Sequence, residues 1–158
     1  MEKLSLILWR ERELLEQLAF KLELEQLVLA SGRTRWLAHT TRDVEDVLVL
    51  IRETEVLRAI AADEAAAAVG LAPNPALSAL ADAADEPWST ILRDHRTAFM
   101  TITADIRSIS ETNRGMLAAG YRSARETLLS IGGAADGYSP DGTARVEAPR
   151  RHLLDRAL

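Results

Sequence analysis

The chain has 158 residues, 47% of them hydrophobic and 4% aromatic, with a formal net charge of −5 and no cysteine. That length holds one domain, or one domain with a tail, and the apolar content is enough for a core. The lack of cysteine excludes disulfide frameworks, thiolate zinc sites and a cysteine nucleophile, and an acidic chain with no basic face argues against nucleic-acid binding. The N-terminal apolar run from Leu4 to Trp9 is broken by Arg10, Glu11, Arg12 and Glu13, too early for a signal peptide. No apolar run reaches the ~18 residues of a membrane span. These features predict a soluble, cytoplasmic protein that does not insert into a membrane.

Residues 2–30 form the first expected helix. Leu4, Leu8, Leu15, Leu18, Leu22 and Leu29 follow a heptad, with Glu11 and Glu25 at two further seam positions. Ile7, Leu14, Leu24, Leu27 and Val28 widen this face beyond a two-stranded seam, which suits a helix that touches more than one partner. Ser31-Gly32 supplies a stop, with Gly32 suited to the left-handed position that follows a helix.

A second helix is expected from about Thr34 to Val69, with weaker turns from Arg33 to Arg42, so that it could start or bend near Thr40-Thr41-Arg42-Asp43. Val44, Val47, Leu48, Ile51, Leu57, Ile60 and Ala61 mark its buried side. The alanine-rich stretch Ala59 to Ala68 has high helix propensity but little side-chain area, so this end is expected to be the looser one. Gly70 to Pro75 breaks the pattern, with Asn74 as a candidate N-cap and Pro75 as a first helical residue. A short helix follows from Ala76 to Ala84, with Leu77, Leu80 and Ala81 or Ala84 inward.

The longest helix is expected from Glu86 to Ile131. Trp88, Leu92, His95, Phe99, Ile102, Ile106, Ile109, Asn113 and Met116 recur at alternating steps of four and three. The stripe then drifts to Leu117, Tyr121, Ala124, Leu128 and Ile131, like a four-residue stutter. Such a helix would run about 69 Å at ~1.5 Å per residue, and it cannot bury a face on itself. Its seam must lie against other helices of this chain or against another chain.

Gly132-Gly133 is expected to end the helix. Beyond it no period is visible, and Tyr138-Ser139-Pro140-Asp141-Gly142 is a turn signal. Arg150 to Leu158 could form two helical turns with Leu153, Leu154, Ala157 and Leu158 on one side, but only when docked on something. Residues 143–158 carry four arginines against Glu147 and Asp155 and so are basic. The expected architecture is all-α: an elongated antiparallel helical bundle or coiled coil of three long helices with one short helix. Residues 1–131 would be the bundle body and 132–158 a flexible tail.

Little in the chain points to catalysis. His39, His95 and His152 are far apart and form no HxxxH pair, and His95 on the seam fits a partly buried, hydrogen-bonded histidine. Acidic groups such as Glu53/Glu55 and Asp43/Glu45/Asp46 fit a solvated helix face. Gly132-Gly133 is followed by no Gly-Lys-Ser/Thr, and Asp136 to Gly142 lacks EF-hand spacing. No catalytic, cofactor-binding or metal-binding set emerges, so the chain is expected to be no enzyme and to need no cofactor. Two residues have competing readings. A lone asparagine on a seam, Asn113, can fix helix register or contact a partner. Tyr138, in a glycine-flanked turn, can pack back on the helix ends or serve as an aromatic anchor for a partner.

The order of features resembles the FlgN-type flagellar export chaperones. The specific part is Asn113-Arg114-Gly115-Met116-Leu117 late in the last long helix, followed by scattered leucines (Leu128, Leu129), Tyr138-Ser139-Pro140-Asp141-Gly142 and a short polar tail. The resemblance implies a non-enzymatic chaperone for hook–filament junction proteins. It would bind their C-terminal amphipathic segment, prevent premature assembly and deliver them to the export gate. On this reading Asn113, Met116, Leu117, Tyr121, Ala124, Leu128 and Ile131, with Leu153, Leu154 and Leu158, contact cargo or cover its groove. Tyr138, Asp141 and Gly142 would contact the cytoplasmic domain of the gate. The alternative is a self-associating coiled-coil scaffold whose seam is filled by a second copy, so a homodimer stays open.

Overall fold

The structure, a computed structural model, describes the backbone of residues 1–135 and the side chains of residues 1–131. It divides the chain into two units, Met1–Leu117 and Ala118–Leu158. The described residues form α-helices and one 3₁₀ turn, with no strand among them, as the heptad patterns predict. Helix α1 spans Glu2–Ala30, α2 Leu37–Ala68, α3 Leu77–Ala83 and α4 Trp88–Ala135.

Of the expected α1 seam, Leu4, Leu8, Glu11, Leu18, Leu22 and Glu25 are buried while Leu15 and Leu29 are half-buried; Leu14, expected beside the seam, is buried with them. Helix α2 returns antiparallel to α1. Lys3 pairs with Glu64 at 2.7 Å, Arg58 with Glu11 at 3.1 Å and Lys21 with Asp43 at 2.7 Å. The reversal is made at Gly32, whose φ of 65° needs a residue without a Cβ. A 3₁₀ turn, Thr34–Trp36, then leads into α2. The expected bend near Thr40 does not occur: the helix is continuous from Leu37.

Within the unit Met1–Leu117, α4 runs beside α1 in the same direction. Trp9 meets the His95 ring at 4.9 Å and Asn113 reaches the Leu22 carbonyl at 2.9 Å. The buried interior is layered. One apolar cluster holds Leu4, Leu8, Ala61, Ala65, Ala66, Leu80, Ala81 and Leu92, and a second holds Leu14, Leu18, Leu22, Val47 and Ile51. Between them the α1 seam carries Glu11, 5% exposed.

Three expectations about α2 and α3 are corrected. The alanine-rich end of α2 is among the most buried places in the described residues: Ala61, Ala65 and Ala66 are 2%, 4% and 0% exposed. Small side chains there let α3 close over the end of the bundle, with Leu80 and Ala81 buried against them. Leu57 and Ile60, assigned to the core, are 55% and 51% exposed, because Val47, Ile51, Thr54 and Ala61 already define the inward face. Asn74 does not cap α3, which is preceded by Ala76. Instead Asn74 sits at φ 57° and its backbone N–H donates to Asp63 Oδ1 at 2.6 Å.

The end of α2 is fixed by its backbone. Gly70, at φ 74°, donates to the Ala67 carbonyl and Leu71 donates to the Ala66 carbonyl at 2.9 Å. That is the paired bond pattern of a Schellman cap, with Leu71 packed on the core. Helix α3 is tied to the start of α4 by the Ser89 hydroxyl, which donates to the Ala81 carbonyl at 2.7 Å, and by Arg93 with Asp82 at 3.1 Å. At its far end α4 does not stop at Ile131; it passes through Gly132 and Gly133 to Ala135. A long α-helix carries its hydrogen bonding across glycine at a cost of about 1 kcal/mol each.

Because Ala66 is fully buried in the cluster that α3 closes, Ala66→Leu is expected to destabilise the chain by about 1–3 kcal/mol through overpacking. A lowered urea midpoint with an unchanged slope would show this; an unchanged midpoint would mean that the alanine end has room.

Candidate helix-binding surface

The seam of α4 is buried as its spacing predicts, up to a definite point. Leu92 is 0%, His95 3% and Asn113 3% exposed, and Trp88, Phe99, Ile102, Ile106, Ile109 and Met116 are half-buried. Asn113 therefore has the structural role of its two readings. Its amide Nδ2 donates to the Leu22 carbonyl at 2.9 Å and to Glu25 Oε2 at 3.1 Å. Glu25 Oε1 in turn accepts from the Thr41 hydroxyl at 2.9 Å. The heptad positions of α1 and α4 and the first turns of α2 thus meet in one polar layer. Asn113 Oδ1 is buried with no hydrogen-bond partner among the described residues.

Beside this layer a cleft of about 340 Å³ opens among α1, α2 and α4. It is lined mainly by Leu18, Leu22, Val44, Leu48, Ile106 and Leu117, with Ser110, Arg114 and Glu25 at its polar edge. Leu117 is 41% exposed. Beyond it, in the second unit, every described residue of α4 from Ala118 to Ile131 is exposed. Tyr121, Ala124, Leu128 and Ile131 recur at helical spacing on one face, and Tyr121, Leu128 and Ile131 are 72%, 70% and 61% exposed. Leu129 adds a flank at 64%. Tyr138, Asp141, Gly142, Leu153, Leu154 and Leu158 lie outside the described residues.

Two further apolar faces are exposed, of which only Leu27, as widening the α1 face, and Leu57 and Ile60, as core, were assigned from the sequence. On α1, Leu6, Trp9, Phe20 and Leu27 are 65%, 54%, 56% and 65% exposed. On α2, Val49, Leu50, Val56, Leu57 and Ile60 are exposed. The available signal was that these helices carry more large apolar residues than a seam can use. The heptad draws the eye to the inward set and leaves the remainder unassigned.

Two titrating groups sit inside the bundle. Burial pushes the Glu11 carboxyl up, the nearby Arg58 pulls it down, and Glu55 pushes it up again. Arg58 Nε lies 3.1 Å from Glu11 Oε2 without the alignment of a hydrogen bond. Burial lowers the pKa of His95, with the Arg12 cation adding to the effect and Asp94 opposing it. His95 was expected to be hydrogen-bonded, but its Nε2 has no partner among the described residues. The ring is held instead by aromatic faces, edge-on to Trp9 and stacked at 6.2 Å on Phe99.

Among the described residues no group of three or more His, Asp or Glu side chains converges to hold a metal ion. No described helix is long and apolar enough to cross a membrane. Met1–Leu117 carries a cleft lined mainly by apolar side chains and exposed apolar faces on α1 and α2, and the described end of α4 is exposed as well. The family model described as FlgN protein matches residues 1–145. The chain belongs to the FlgN family, whose general role is that of a flagellar export chaperone. No curated protein and no solved structure matches the chain.

Asn113→Ala would leave Glu25 and the Leu22 carbonyl without their shared donor, and is expected to cost about 1–3 kcal/mol in urea unfolding. Loss below 0.5 kcal/mol, on the same scale, would mean that water replaces the amide. The His95 shift gives a pH dependence of known sign. Its folded pKa lies below the unfolded 6.5, so its contribution is fully present above pH 6.5. It is lost as pH falls from there towards the folded pKa, because the unfolded chain takes the proton first. The slope from this group is at most about 1.4 kcal/mol per pH unit. His95→Phe is expected to flatten that part of the stability–pH curve; an unchanged slope would place the ring in water.

Proposed function

We propose that this chain is a cytoplasmic chaperone that holds the C-terminal amphipathic segment of hook–filament junction proteins, prevents their premature assembly and brings them to the export gate. One observation carries the reading: the described end of α4 presents Tyr121, Leu128 and Ile131 to solvent on one helical face. Burying a leucine or isoleucine side chain yields about 1.5–3 kcal/mol, and a helix exposed on all sides gains none of it. An amphipathic cargo helix with apolar residues at i, i+3, i+4 and i+7 matches such a face. Met116 and Leu117 are assigned to cargo as well, and Leu117 lines the cleft edged by Asn113 within the first unit.

In this proposal Leu153, Leu154 and Leu158 cover the face when cargo is absent, and Tyr138, Asp141 and Gly142 contact the cytoplasmic domain of the export gate. Membership of the FlgN family supports the chaperone role, and the family match reaches past Gly142. The rival reading is a self-associating scaffold, in which a second copy fills the same exposed face.

The test uses the full chain and a labelled peptide from the C-terminus of a junction protein. The pair Tyr121→Ser and Leu128→Ser is expected to weaken capture by about tenfold or more with helicity unchanged. Tyr138→Ala is expected to spare peptide capture and to weaken binding to the gate domain. Equal capture by the wild-type and doubly substituted chains would overturn the cargo assignment. A dimer that persists at saturating peptide would favour the scaffold.

A further inference from the structure

The outward face of α2 has no role in the chaperone reading above, and its chemistry is specific. Val49, Val56 and Ile60 fall at i, i+7 and i+11, with Leu50 and Leu57 beside them at i and i+7. Their exposures are 48%, 62%, 51%, 41% and 55%. Together they make an apolar stripe three turns long, about 16 Å at ~1.5 Å per residue. It points away from the core, because Val47, Ile51, Thr54 and Ala61 hold the buried side of the same helix.

The stripe is set in acid. Between Asp43 and Glu64, α2 carries seven carboxylates against Arg52 and Arg58. Two of the seven, Asp43 and Glu64, are paired with lysines of α1, and Arg58 leans on Glu11. Glu53 lies within the stripe, three or four residues from each of Val49, Leu50, Val56 and Leu57, and it is exposed. Asp46 stands one turn before Val49 and Leu50 and is also exposed.

An apolar stripe with carboxylates inside it selects its occupant by charge. Two copies laid face to face on α2 would bring two acidic surfaces together, which opposes pairing through this face. A helix with leucine-like residues on one side and lysine or arginine flanking them satisfies both features at once. We infer that the outer face of α2 is a docking surface for a basic amphipathic helix of a partner protein. It is separate from the cargo face proposed on α4, and neither assignment depends on the other.

The probe is a labelled 18-residue model helix of leucine and lysine, with leucine at i, i+3, i+4 and i+7, titrated with the full chain and followed by fluorescence anisotropy. The paired substitution Leu57→Ser with Ile60→Ser is expected to weaken binding about tenfold, and Glu53→Lys to weaken it and reduce its salt dependence. Leu128→Ser with Ile131→Ser, on α4, is expected to leave the α2 contribution in place. A leucine–glutamate helix of the same pattern is expected not to bind. Three results would each overturn the inference. One is undiminished binding to the Leu57/Ile60 variant while circular dichroism reports a folded chain. Another is equal affinity for the glutamate helix. The last is a sedimenting dimer that this variant dissolves, since the face would then belong to a second copy.

Discussion

The amide of Asn113 holds the architecture at its most exacting point. It satisfies a main-chain carbonyl of α1 and one oxygen of Glu25 at once, and Glu25 is oriented by Thr41 of α2. Three helices are therefore read by one side chain. Apolar seams tolerate slippage by a heptad, because leucine replaces leucine. A buried amide facing a buried carboxylate does not, since a slipped register would strip the amide of its acceptors and Glu25 Oε2 of its donor in a poorly hydrated place. The Glu11–Arg58 contact lies further back along α1, between the two apolar clusters.

The two units differ in how α4 is covered. Up to Asn113 the seam is buried or half-buried; from Ala118 onward every described residue is exposed. The helix continues to Ala135 although its seam has ended. Apolar residues are exposed on α1, on α2 and along the described end of α4. Membership of the FlgN family gives that physical surplus a biological setting.

Most of the fold was legible in the sequence because the helices are long and their seams strictly spaced. Every seam position from Trp88 to Met116 is at least half-buried, and Ser31-Gly32 and Gly70 end their helices as their chemistry demands. The alanine end of α2 was misread because small area was equated with loose packing. Small residues give tight packing wherever another element closes over them, and α3 does so. Leu57 and Ile60 were misplaced because hydrophobicity alone cannot separate an inward face from an unpartnered outward one. Asn74 looked like a cap from its neighbour Pro75, but its left-handed backbone and its bond to Asp63 belong to the preceding loop. For the candidate site, the α4 stripe was legible from its drift off the heptad, whereas the α2 face carries no break in pattern to announce it.

The antiparallel pairing of α1 with α2 has a consequence for the order in which the molecule is made. The contacts of Lys21 with Asp43, Glu11 with Arg58 and Lys3 with Glu64 join residues already synthesised before α4 begins at Trp88. A hairpin can close while the ribosome is still adding the third long rod. Until that rod emerges, Leu14, Leu18 and Leu22 lack the cover that Ile106 and Ile109 give them in the finished bundle.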